Sequence, residues 1–444
     1  MPGSHVHIGT GSLGLGLIGD LANRARLNTC FVNRVSKEEY HKILSEERSY
    51  ILDVDGKPQT VAGFEVVTYP ERAPEQCRDV FANPDIFLIT TAVKASNLDS
   101  SALVLAHGLQ RRMETGCSKP LAVVACENIE DNSSYLKRKV EEELSRTGDP
   151  HEVLRNVSFC DCVVDRMCVK PVPVNEGGSK KVRVQVESYL EWTIDDSNIA
   201  DDKFRRELGH EIGQFEGVRI AKRPFYQARA KRKFWCMNAI DLYVSAYAYG
   251  VVWKNLDKEK KAVIRVADAI TNPEIASKVP FLQRELGYAA MAYARGHSVF
   301  EGFDLGTMNS YHAKVFDRLS KFKANRVGRI LTDFIKMETE APDAIRFFLN
   351  NLDALRNQKQ GDGTADIGRT LNDAVRKIVE SLEAHSFVEK VHQRIAEPIK
   401  ELMDAKIKPQ FALEYLLLVI QVLEVVSKNG VEDMRKTLGQ AIDV

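Results

Sequence analysis

The stretch His5-Val6-His7-Ile8-Gly9-Thr10-Gly11-Ser12-Leu13-Gly14-Leu15-Gly16 decides the fold of this chain. It opens as a short apolar strand, passes through closely spaced glycines, and continues into the helical pattern of Leu17, Ile18 and Leu21. A strand, a glycine turn and a helix in that order form a cradle for a pyrophosphate, because free N–H groups at a helix start bind anions.

Each glycine of this turn has a separate predicted role. Gly9 permits the tight turn, Gly11 lets the backbone approach the phosphates without a Cβ, and Gly14 lets the helix pack closely on the strand. Ser12 and Leu13 lie at the helix start and contribute backbone to the same cradle. The spacing alone arises often by chance, but its position between strand and helix favours dinucleotide binding over a structural turn.

The end of the second predicted strand bears on the choice of cofactor. Thr29-Cys30-Phe31-Val32 predicts that strand, and Asn33-Arg34 follows where an acidic residue binds the ribose of NAD. An arginine with no carboxylate beside it suits a 2′-phosphate, since guanidinium pairs with phosphate through parallel hydrogen bonds. The alternative is a solvated Arg34 on a turn, with Asn33 still binding the ribose. NADP(H) is therefore slightly favoured over NAD(H).

Composition limits the class of protein. The chain has 444 residues, enough for two or three domains, with 44% hydrophobic and 28% charged residues. Lys plus Arg and Asp plus Glu number 62 each, so no basic excess indicates a nucleic-acid or membrane partner. The apolar stretch at 416–426 is too short to span a bilayer. The first strand begins too early to leave room for a signal peptide, which predicts a cytoplasmic protein.

The eight cysteines predict free thiols rather than a metal site. Cys160-x-Cys162 would place two thiols on one face of a strand, which supplies two ligands at most. No Cys-x-x-Cys or His-x-x-x-His pattern completes such a site. We therefore expect no metal.

The organisation along the chain predicts an α/β fold. Apolar runs at 6–8, 29–32, 86–90 and 121–126 alternate with helical patterns at 17–24, 101–113 and 134–144, as in a doubly wound parallel sheet. An antiparallel insert is expected near 50–69, with a turn at Asp55-Gly56, and a further β segment at 182–187. We expect a Rossmann-type dinucleotide-binding domain over 1–202 and a mostly helical substrate and catalytic domain over 203–444. The helical patterns of the second half are 225–249, 281–294, 330–337, 343–355, 367–384, 391–403 and 411–427, with a polar loop at 358–364.

The helical segment Lys231-Arg232-Lys233-Phe234-Trp235-Cys236-Met237-Asn238 is the best candidate for chemistry. A lysine in apolar surroundings loses hydration, which lowers the pKa of an amine and lets it take a proton from an alcohol. An asparagine about one turn away can donate an N–H to the reacting oxygen. On spacing alone the plainer interpretation is favoured, in which Lys233 extends to water and Asn238 caps a carbonyl.

Five motifs beyond the glycine turn carry a family resemblance. The chain resembles the polyol-specific long-chain dehydrogenases, and within them the mannitol-1-phosphate 5-dehydrogenases. The motifs are Thr91-Ala92-Val93, Ala125-Cys126-Glu127-Asn128, the segment Phe159 to Arg166, the segment Glu187 to Trp192, and Lys233-x4-Asn238.

The resemblance implies an activity and a partner. It implies zinc-independent hydride transfer between NAD(P)(H) and a secondary alcohol or ketone of a polyol, a sugar phosphate or a related sugar. The partner would be this small molecule, and the family's common state is a monomer. A Rossmann domain followed by a mostly helical domain is also implied.

The same resemblance assigns roles to residues. Lys233 would be the general acid/base and Asn238 would bind the reacting oxygen. Asp161 would lie close to that centre. Glu127 and Asn128 would line the nicotinamide pocket, and Thr91 and Val93 would also bind the cofactor.

Asp241 departs from the family, which has a histidine three residues after the asparagine. On an α-helix Asp241 would project roughly 80° from Lys233 and about 60° from Asn238. A carboxylate there would raise the pKa of the lysine and make it a poorer base. Asp241 could orient Lys233, could take part in proton transfer itself, or could mark a site that has lost ordinary polyol activity.

The substrate-anion segment also departs from the family. Arg326 and Arg329 remain at helical spacing and could clamp a phosphate or carboxylate, or could form an exposed basic face. Asp333-Phe334 stands where the family has an Arg-Lys pair. A hexitol, a uronate-derived keto acid, and a cyclic or modified sugar phosphate all remain open as substrates. The alternative function is a catalytically silent relative that binds a dinucleotide as a sensor or scaffold.

Overall fold

The computed structural model describes residues 3–36, 38–335 and 392–407, together with 411–412, 415–416 and 418–419. Cα packing divides the chain into two compact units, Met1–Ala230 and Lys231–Val444. The first unit contains three sheets, and the described part of the second is helical.

A six-stranded parallel sheet forms the centre of the first unit. In spatial order its strands are β5 (Glu65–Tyr69), β2 (Asn28–Arg34), β1 (Ser4–Ile8), β6 (Ile86–Thr91), β7 (Leu121–Ala125) and β8 (Val157–Phe159). Every neighbouring pair is parallel. This is the strand order of the dinucleotide-binding fold, in which ligands bind beyond the carboxyl ends of the strands where the order reverses, between β1 and β6. The predicted doubly wound sheet is confirmed.

Apolar side chains on both faces hold this sheet between helices. All five residues of β1 and all five of β7 are buried, as expected for parallel strands covered on both sides. The α-helices of this unit up to β8 are α1 (Asp20–Arg24), α2 (Glu39–Glu47), α3 (Leu98–Glu114), α4 (Asn132–Leu144) and α5 (Pro150–Val153). A π-helical stretch at Gly14–Gly19 leads directly into α1.

The predicted antiparallel insert is confirmed in its first part. The strands β3 (Ser49–Val54) and β4 (Lys57–Ala62) pair antiparallel around Asp55 and Gly56, whose φ angles are 48° and 83°. The last part of the expected insert is wrong, because β5 joins β2 in the main sheet as a parallel strand. The hairpin belongs to a four-stranded sheet with β10 (Val172–Glu176) and β11 (Ser179–Val186), the predicted late β segment.

A third sheet explains where the first unit ends. It pairs β9 (Cys162–Asp165), β12 (Glu191–Asp195) and β13 (Val218–Ala221). Since β13 lies beyond α6 (Asp202–Glu211) and pairs with β12, the chain beyond residue 202 continues the first unit. The compact units therefore divide after Ala230, whereas the sequence predicted a boundary at 202–203.

The described part of the second unit is mostly helical, with an isolated β-bridge between Arg265 and Arg326, which confirms the expected fold class. The helix α7 (Arg223–Lys233) contains the dividing point and is followed directly by a π-helical stretch, Phe234–Asn238. The remaining α-helices are α8 (Ala239–Tyr247), α9 (Lys258–Val263), α10 (Val266–Ile270), α11 (Pro273–Gly296), α12 (Leu305–Lys321), α13 (Val327–Ile335) and α14 (Glu397–Asp404). The predicted segments 343–355, 358–364 and 367–384, and most of 411–427, lie outside the described residues. Within the described helices, none has both the length and the hydropathy that a membrane crossing requires.

Candidate cofactor and catalytic site

The glycine turn has the geometry that the sequence predicts for a phosphate cradle. Gly9 has a φ of 106°, and a Cβ there would lie 2.8 Å from the Ala92 carbonyl oxygen. A Cβ on Gly14 would lie 2.6 Å from His7 Nε2, so this glycine allows the helix to pack on β1. Over Gly11 the nearest heavy atom would be 3.9 Å away, which leaves room for a ligand close to the backbone.

The helix start supplies donors to the same space. Leu15 N donates to Gly11 O at 3.0 Å. The N–H groups of Ser12, Leu13 and Gly14 precede this bond, and helix-start N–H groups have no earlier carbonyl within the helix to bind. A dinucleotide pyrophosphate therefore fits the residues present.

The side chains at the end of β2 form a buried polar cluster. Asn33 Nδ2 donates to Thr10 Oγ1 and lies 2.8 Å from His41 Nδ1. Thr10 Oγ1 also lies 3.1 Å from His41 Nδ1. His41 lies on α2 and was not predicted, because no local pattern ties it to the turn.

Arg34 requires a correction. Its Nη1 lies 2.8 Å from Glu71 Oε1, and both side chains are exposed. The premise that no carboxylate lies beside Arg34 is therefore wrong. Glu71 follows β5, which pairs with β2, and this pairing was not expected from the sequence.

Glu127 joins the ends of β6 and β7. Its carboxylate accepts from Thr91 Oγ1 at 2.9 Å and from Val93 N at 2.9 Å, and it is almost fully buried. Burial raises the pKa of this carboxyl, while the hydrogen bonds from Val93 and Thr91 oppose the shift. Asn128, the next residue, is exposed. The structure thus brings Thr91, Val93 and Glu127 together at the carboxyl edge of the sheet.

Asp161 is fully buried, and both oxygens of its carboxylate have partners. Its carboxylate accepts from Ser134 N at 2.8 Å and Ser134 Oγ at 2.6 Å, and pairs with Arg223 Nη1 at 2.6 Å. Arg223 also pairs with Asp195 at 3.2 Å and with Asp131. Burial lowers the pKa of the Arg223 guanidinium, but the three carboxylates raise it. The net effect is a raised pKa. These contacts give Asp161 a structural role inside the first unit, and Arg223 was missed at sequence level.

Lys233 is the last residue of α7 and is only 8% exposed. Its Nζ lies 5.2 Å from the centre of the Phe234 ring. The following π-helical turn, Phe234–Asn238, ends at Asn238, which is half-buried. Such turns inside α-helices occur often at functional sites. The Lys233 side chain is therefore buried, whereas the plainer interpretation from spacing alone had it extend to water.

The expected position of Asp241 requires a correction. A π-helical turn winds fewer degrees per residue than an α-helix, so the angles calculated from Lys233 and Asn238 no longer hold. Asp241 Oδ1 is buried without a hydrogen bond to the described residues. Burial raises the pKa of Asp241 to about 6, against the opposing charges of Arg329, Arg394 and Arg318. Three arginines are therefore among its charged neighbours.

The two arginines predicted to bind the substrate anion have different surroundings. Arg326 donates to the Val263 carbonyl oxygen at 3.2 Å, and burial lowers the pKa of its guanidinium. Arg329 donates to Asn325 Oδ1 at 2.7 Å and is one of the charges around Asp241. The two side chains therefore have different hydrogen-bond partners. Over the described residues, no three His, Cys, Asp or Glu side chains are grouped as a metal site requires.

Comparison with known proteins agrees with this geometry. The sheet order and the glycine turn define the Rossmann class of dinucleotide-binding proteins. Residues 4–207 match the model of the mannitol dehydrogenase Rossmann domain. The predicted resemblance is confirmed.

Curated relatives are similar at modest identity. A mannitol-1-phosphate 5-dehydrogenase of Enterococcus faecalis is 30% identical over 211 residues, which span 48% of this chain and about half (52%) of that protein. One of Lactococcus lactis subsp. cremoris is 28% identical over 326 residues, covering 72% of this chain and 73% of the relative.

Solved structures share the fold. The Pseudomonas fluorescens mannitol 2-dehydrogenase in ternary complex with NAD and D-mannitol has a TM-score of 0.57 at 14% identity, covering 99% of this chain and 95% of that chain. A substrate-free D-sorbitol dehydrogenase has a TM-score of 0.54 at 15% identity, with 98% and 95% covered. At such identities the likeness extends to the fold alone.

Proposed function

We propose that this protein is a zinc-independent NAD(P)(H)-dependent dehydrogenase of a polyol or sugar phosphate, acting on a secondary alcohol or its ketone. The observation that carries the proposal is the buried side chain of Lys233, which directly precedes a π-helical turn that ends at Asn238. The match of residues 4–207 to the mannitol dehydrogenase Rossmann domain supports it. We propose a cytoplasmic monomer, as the sequence predicts.

The chemistry divides between the cofactor and two side chains. When bound, the nicotinamide supplies hydride transfer to or from the carbinol carbon. Lys233 takes the proton from the alcohol oxygen in oxidation and returns it in reduction, because a lysine amine can serve as a general base and, once protonated, as a general acid. Asn238 donates its amide N–H to the same oxygen and stabilises developing negative charge.

The remaining predicted residues hold or orient groups. The N–H groups after Gly11 and around Gly14 would hold the pyrophosphate. Glu127 fixes the loop after β6 through its bonds to Thr91 and Val93, and exposed Asn128 is our candidate for contact with the nicotinamide. Asp161, bound to Ser134 and Arg223, would act as a positioning residue rather than a proton carrier.

The substrate proposal rests on the relatives and on the arginines. The relatives named as mannitol-1-phosphate 5-dehydrogenases suggest a hexitol phosphate or its keto-sugar phosphate. Arg326 and Arg329 remain the candidates for the substrate anion, and each already donates within the protein, Arg326 to the Val263 carbonyl oxygen and Arg329 to Asn325 Oδ1. A keto sugar with a carboxylate is an anion like a sugar phosphate, so the substrate panel should include it.

The slight preference for NADP(H) loses its support. It depended on Arg34 lacking a carboxylate neighbour, and Glu71 now pairs with that guanidinium. We therefore assign NAD(P)(H) without a preference based on Arg34.

The direct test is a substrate panel with the purified full chain. Each of NAD⁺ and NADP⁺ would be mixed with mannitol 1-phosphate, other hexitol phosphates and free hexitols, and the reverse reaction run with keto-sugar phosphates and uronate-derived keto acids. We expect formation of the reduced nicotinamide with at least one hexitol phosphate. Saturable dinucleotide binding with no turnover across the panel would overturn the proposal.

Asp241 is the observation that favours the second candidate, a silent dinucleotide-binding sensor or scaffold. A buried carboxyl surrounded by arginines stands where the family has a histidine. If the silent hypothesis holds, Asp241→His should gain polyol oxidation from an inactive parent. If the dehydrogenase hypothesis holds, the parent is already active.

A further inference from the structure

The polar cluster of Thr10, Asn33 and His41 fixes which way the Asn33 amide faces. Asn33 Nδ2 donates to Thr10 Oγ1 and lies 2.8 Å from His41 Nδ1. An amide nitrogen only donates, so with Nδ2 in this position His41 Nδ1 must accept and the imidazole proton must be on Nε2. Both N–H bonds of the Asn33 amide are thus used within the protein.

This arrangement leaves the amide oxygen as the group that Asn33 can offer to a ligand. Asn33 Oδ1 makes no hydrogen bond to the residues that the structure describes. An amide oxygen accepts and does not donate. Asn33 therefore presents the same hydrogen-bonding character as the carboxylate found at this position in NAD sites, without its charge.

The cluster lies where the adenosine ribose of a dinucleotide would bind. Thr10 is part of the glycine turn, and Asn33 is the penultimate residue of β2, the strand beside β1. In this fold the carboxyl end of the second strand contacts the ribose 2′-oxygen. His41 reaches the cluster from α2 and stacks against Tyr40 with ring centres 4.2 Å apart.

We propose that His41 is a positioning residue for cofactor specificity: it holds the Asn33 amide with its oxygen toward the ribose and thereby favours NAD(H) over NADP(H). A 2′-hydroxyl can donate to that oxygen. A 2′-phosphate offers chiefly acceptor oxygens, so two acceptors would face one another. The inference rests on the proposed function only in assuming that the site binds a dinucleotide.

Neighbouring charges do not override this preference. Arg34 is paired with Glu71 at 2.8 Å, and Lys170 with Glu38 at 3.1 Å, so both of these cations have a carboxylate partner. Burial is the largest effect on His41 and lowers the pKa of its imidazole. The charge of Glu38 raises this pKa by less, and the charge of Lys170 lowers it further. The imidazole is therefore neutral at neutral pH, and its Nδ1 remains an acceptor.

The test measures binding and needs no substrate. NADH and NADPH would be titrated into the wild type, His41→Leu and His41→Asn at neutral pH, with nicotinamide fluorescence as the readout. Leucine removes the acceptor and frees the Asn33 amide to turn, whereas the asparagine side-chain oxygen can replace Nδ1 as acceptor. We expect wild type to prefer NADH, a loss of about tenfold in this ratio for His41→Leu, and recovery in His41→Asn.

Two controls separate this effect from damage to the fold. Thermal unfolding midpoints should agree among the variants, and His151→Leu, which removes an exposed histidine elsewhere in the unit, should leave the ratio unchanged. An unchanged ratio in His41→Leu, or a wild type that prefers NADPH, would overturn the inference alone. Failure of the wild type to bind either dinucleotide would overturn the proposed function as well.

Discussion

Arg34 and Glu71 lie 2.8 Å apart at the surface, with side chains about half and about three-quarters exposed. An exposed pair of this kind contributes little, about 0–1 kcal/mol. Any attraction of Arg34 for a 2′-phosphate must compete with this neighbour.

We accordingly predict that Arg34→Ala changes the ratio of NADPH to NADH affinity by less than about fivefold. Titration of both reduced cofactors against the variant and wild type would measure it. Glu71→Ala is the matched variant, and it should increase NADPH affinity because it frees the Arg34 guanidinium. A much larger loss of NADPH affinity in Arg34→Ala would show that the guanidinium binds the phosphate despite Glu71.

Individual residues were predicted well only where a local pattern names them. Gly9 and Gly14 follow from their spacing, and the structure gives each the expected close backbone approach. The contacts of Glu71 and His41 could not be predicted from local sequence. They depend on the pairing of β5 with β2 and on the placement of α2. Side-chain partners far apart in sequence are not visible in local spacing.

At the scale of elements, two glycines of the glycine turn have different roles: Gly14 allows close packing of the helix, and Gly11 leaves space for a ligand. A Cβ on Gly14 would meet His7 Nε2 at 2.6 Å and Gly9 O at 2.7 Å, whereas a Cβ on Gly11 would meet nothing closer than 3.9 Å. We predict that Gly14→Ala lowers the free energy of unfolding by about 1–3 kcal/mol. Gly11→Ala should fold normally and lose dinucleotide affinity by at least about tenfold.

Urea unfolding and cofactor titration on the same two variants would test this. The prediction fails if Gly11→Ala is the less stable of the two. It also fails if Gly11→Ala binds the cofactor as wild type does.

Ion pairs of Arg223 stabilise the first turn of α7. Arg223 pairs with buried Asp161 and Asp195 and with Asp131, and its backbone N–H donates to Ser197 Oγ at 2.9 Å. We predict that Arg223→Met lowers the free energy of unfolding by about 3 kcal/mol, because two carboxylates are left buried without their partner. Arg219→Met is the control, since Arg219 is exposed, and should change stability by less than about 0.5 kcal/mol. Equal urea midpoints for the two variants would contradict this account.

The π-helical turn after α7 shows what helical periodicity cannot predict. The sequence indicated a continuous helix over 225–249, and the structure has helix there, but the winding changes between Phe234 and Asn238. Each residue beyond the turn is rotated relative to its α-helical position. Asp241 is one of them, and its arginine neighbours come from elements far along the chain.

At the scale of the whole molecule, the class of fold was predictable and the unit boundary was not. Buried strands alternating with amphipathic helices predict the parallel sheet, and the loss of strand patterns predicts the helical second unit. The boundary was placed too early because β13 is short and separated from its partner β12 by a helix. Only the pairing shows that the intervening chain belongs to the first unit.

Two neutral histidines buried in β1 make the fold sensitive to acid. His5 and His7 both contact Thr90 Oγ1, at 2.8 and 2.6 Å, and are almost inaccessible. Burial lowers the pKa of His5 to about 3 and holds that of His7 well below its usual value. Because the unfolded chain takes up these protons first, the free energy of unfolding falls as the pH drops below about 6.5.

We predict a loss of about 1.4 kcal/mol per pH unit for each histidine below that pH. Urea unfolding between pH 7 and pH 4 would measure it, with His5→Gln expected to show the shallower slope. Exposed His151→Gln serves as the control and should keep the wild-type slope. Parallel curves for His5→Gln and wild type would contradict the prediction.

The most direct test of the whole account is hydride transfer by Lys233→Ala on the substrate identified from the panel. A single-turnover measurement with saturating cofactor isolates the chemical step. We predict a fall of at least about a thousandfold in that rate, with NADH affinity within about twofold of wild type, because the amine moves the proton and does not hold the dinucleotide. A Lys233→Ala enzyme that transfers hydride at the wild-type rate would contradict the assignment of Lys233 as the acid/base.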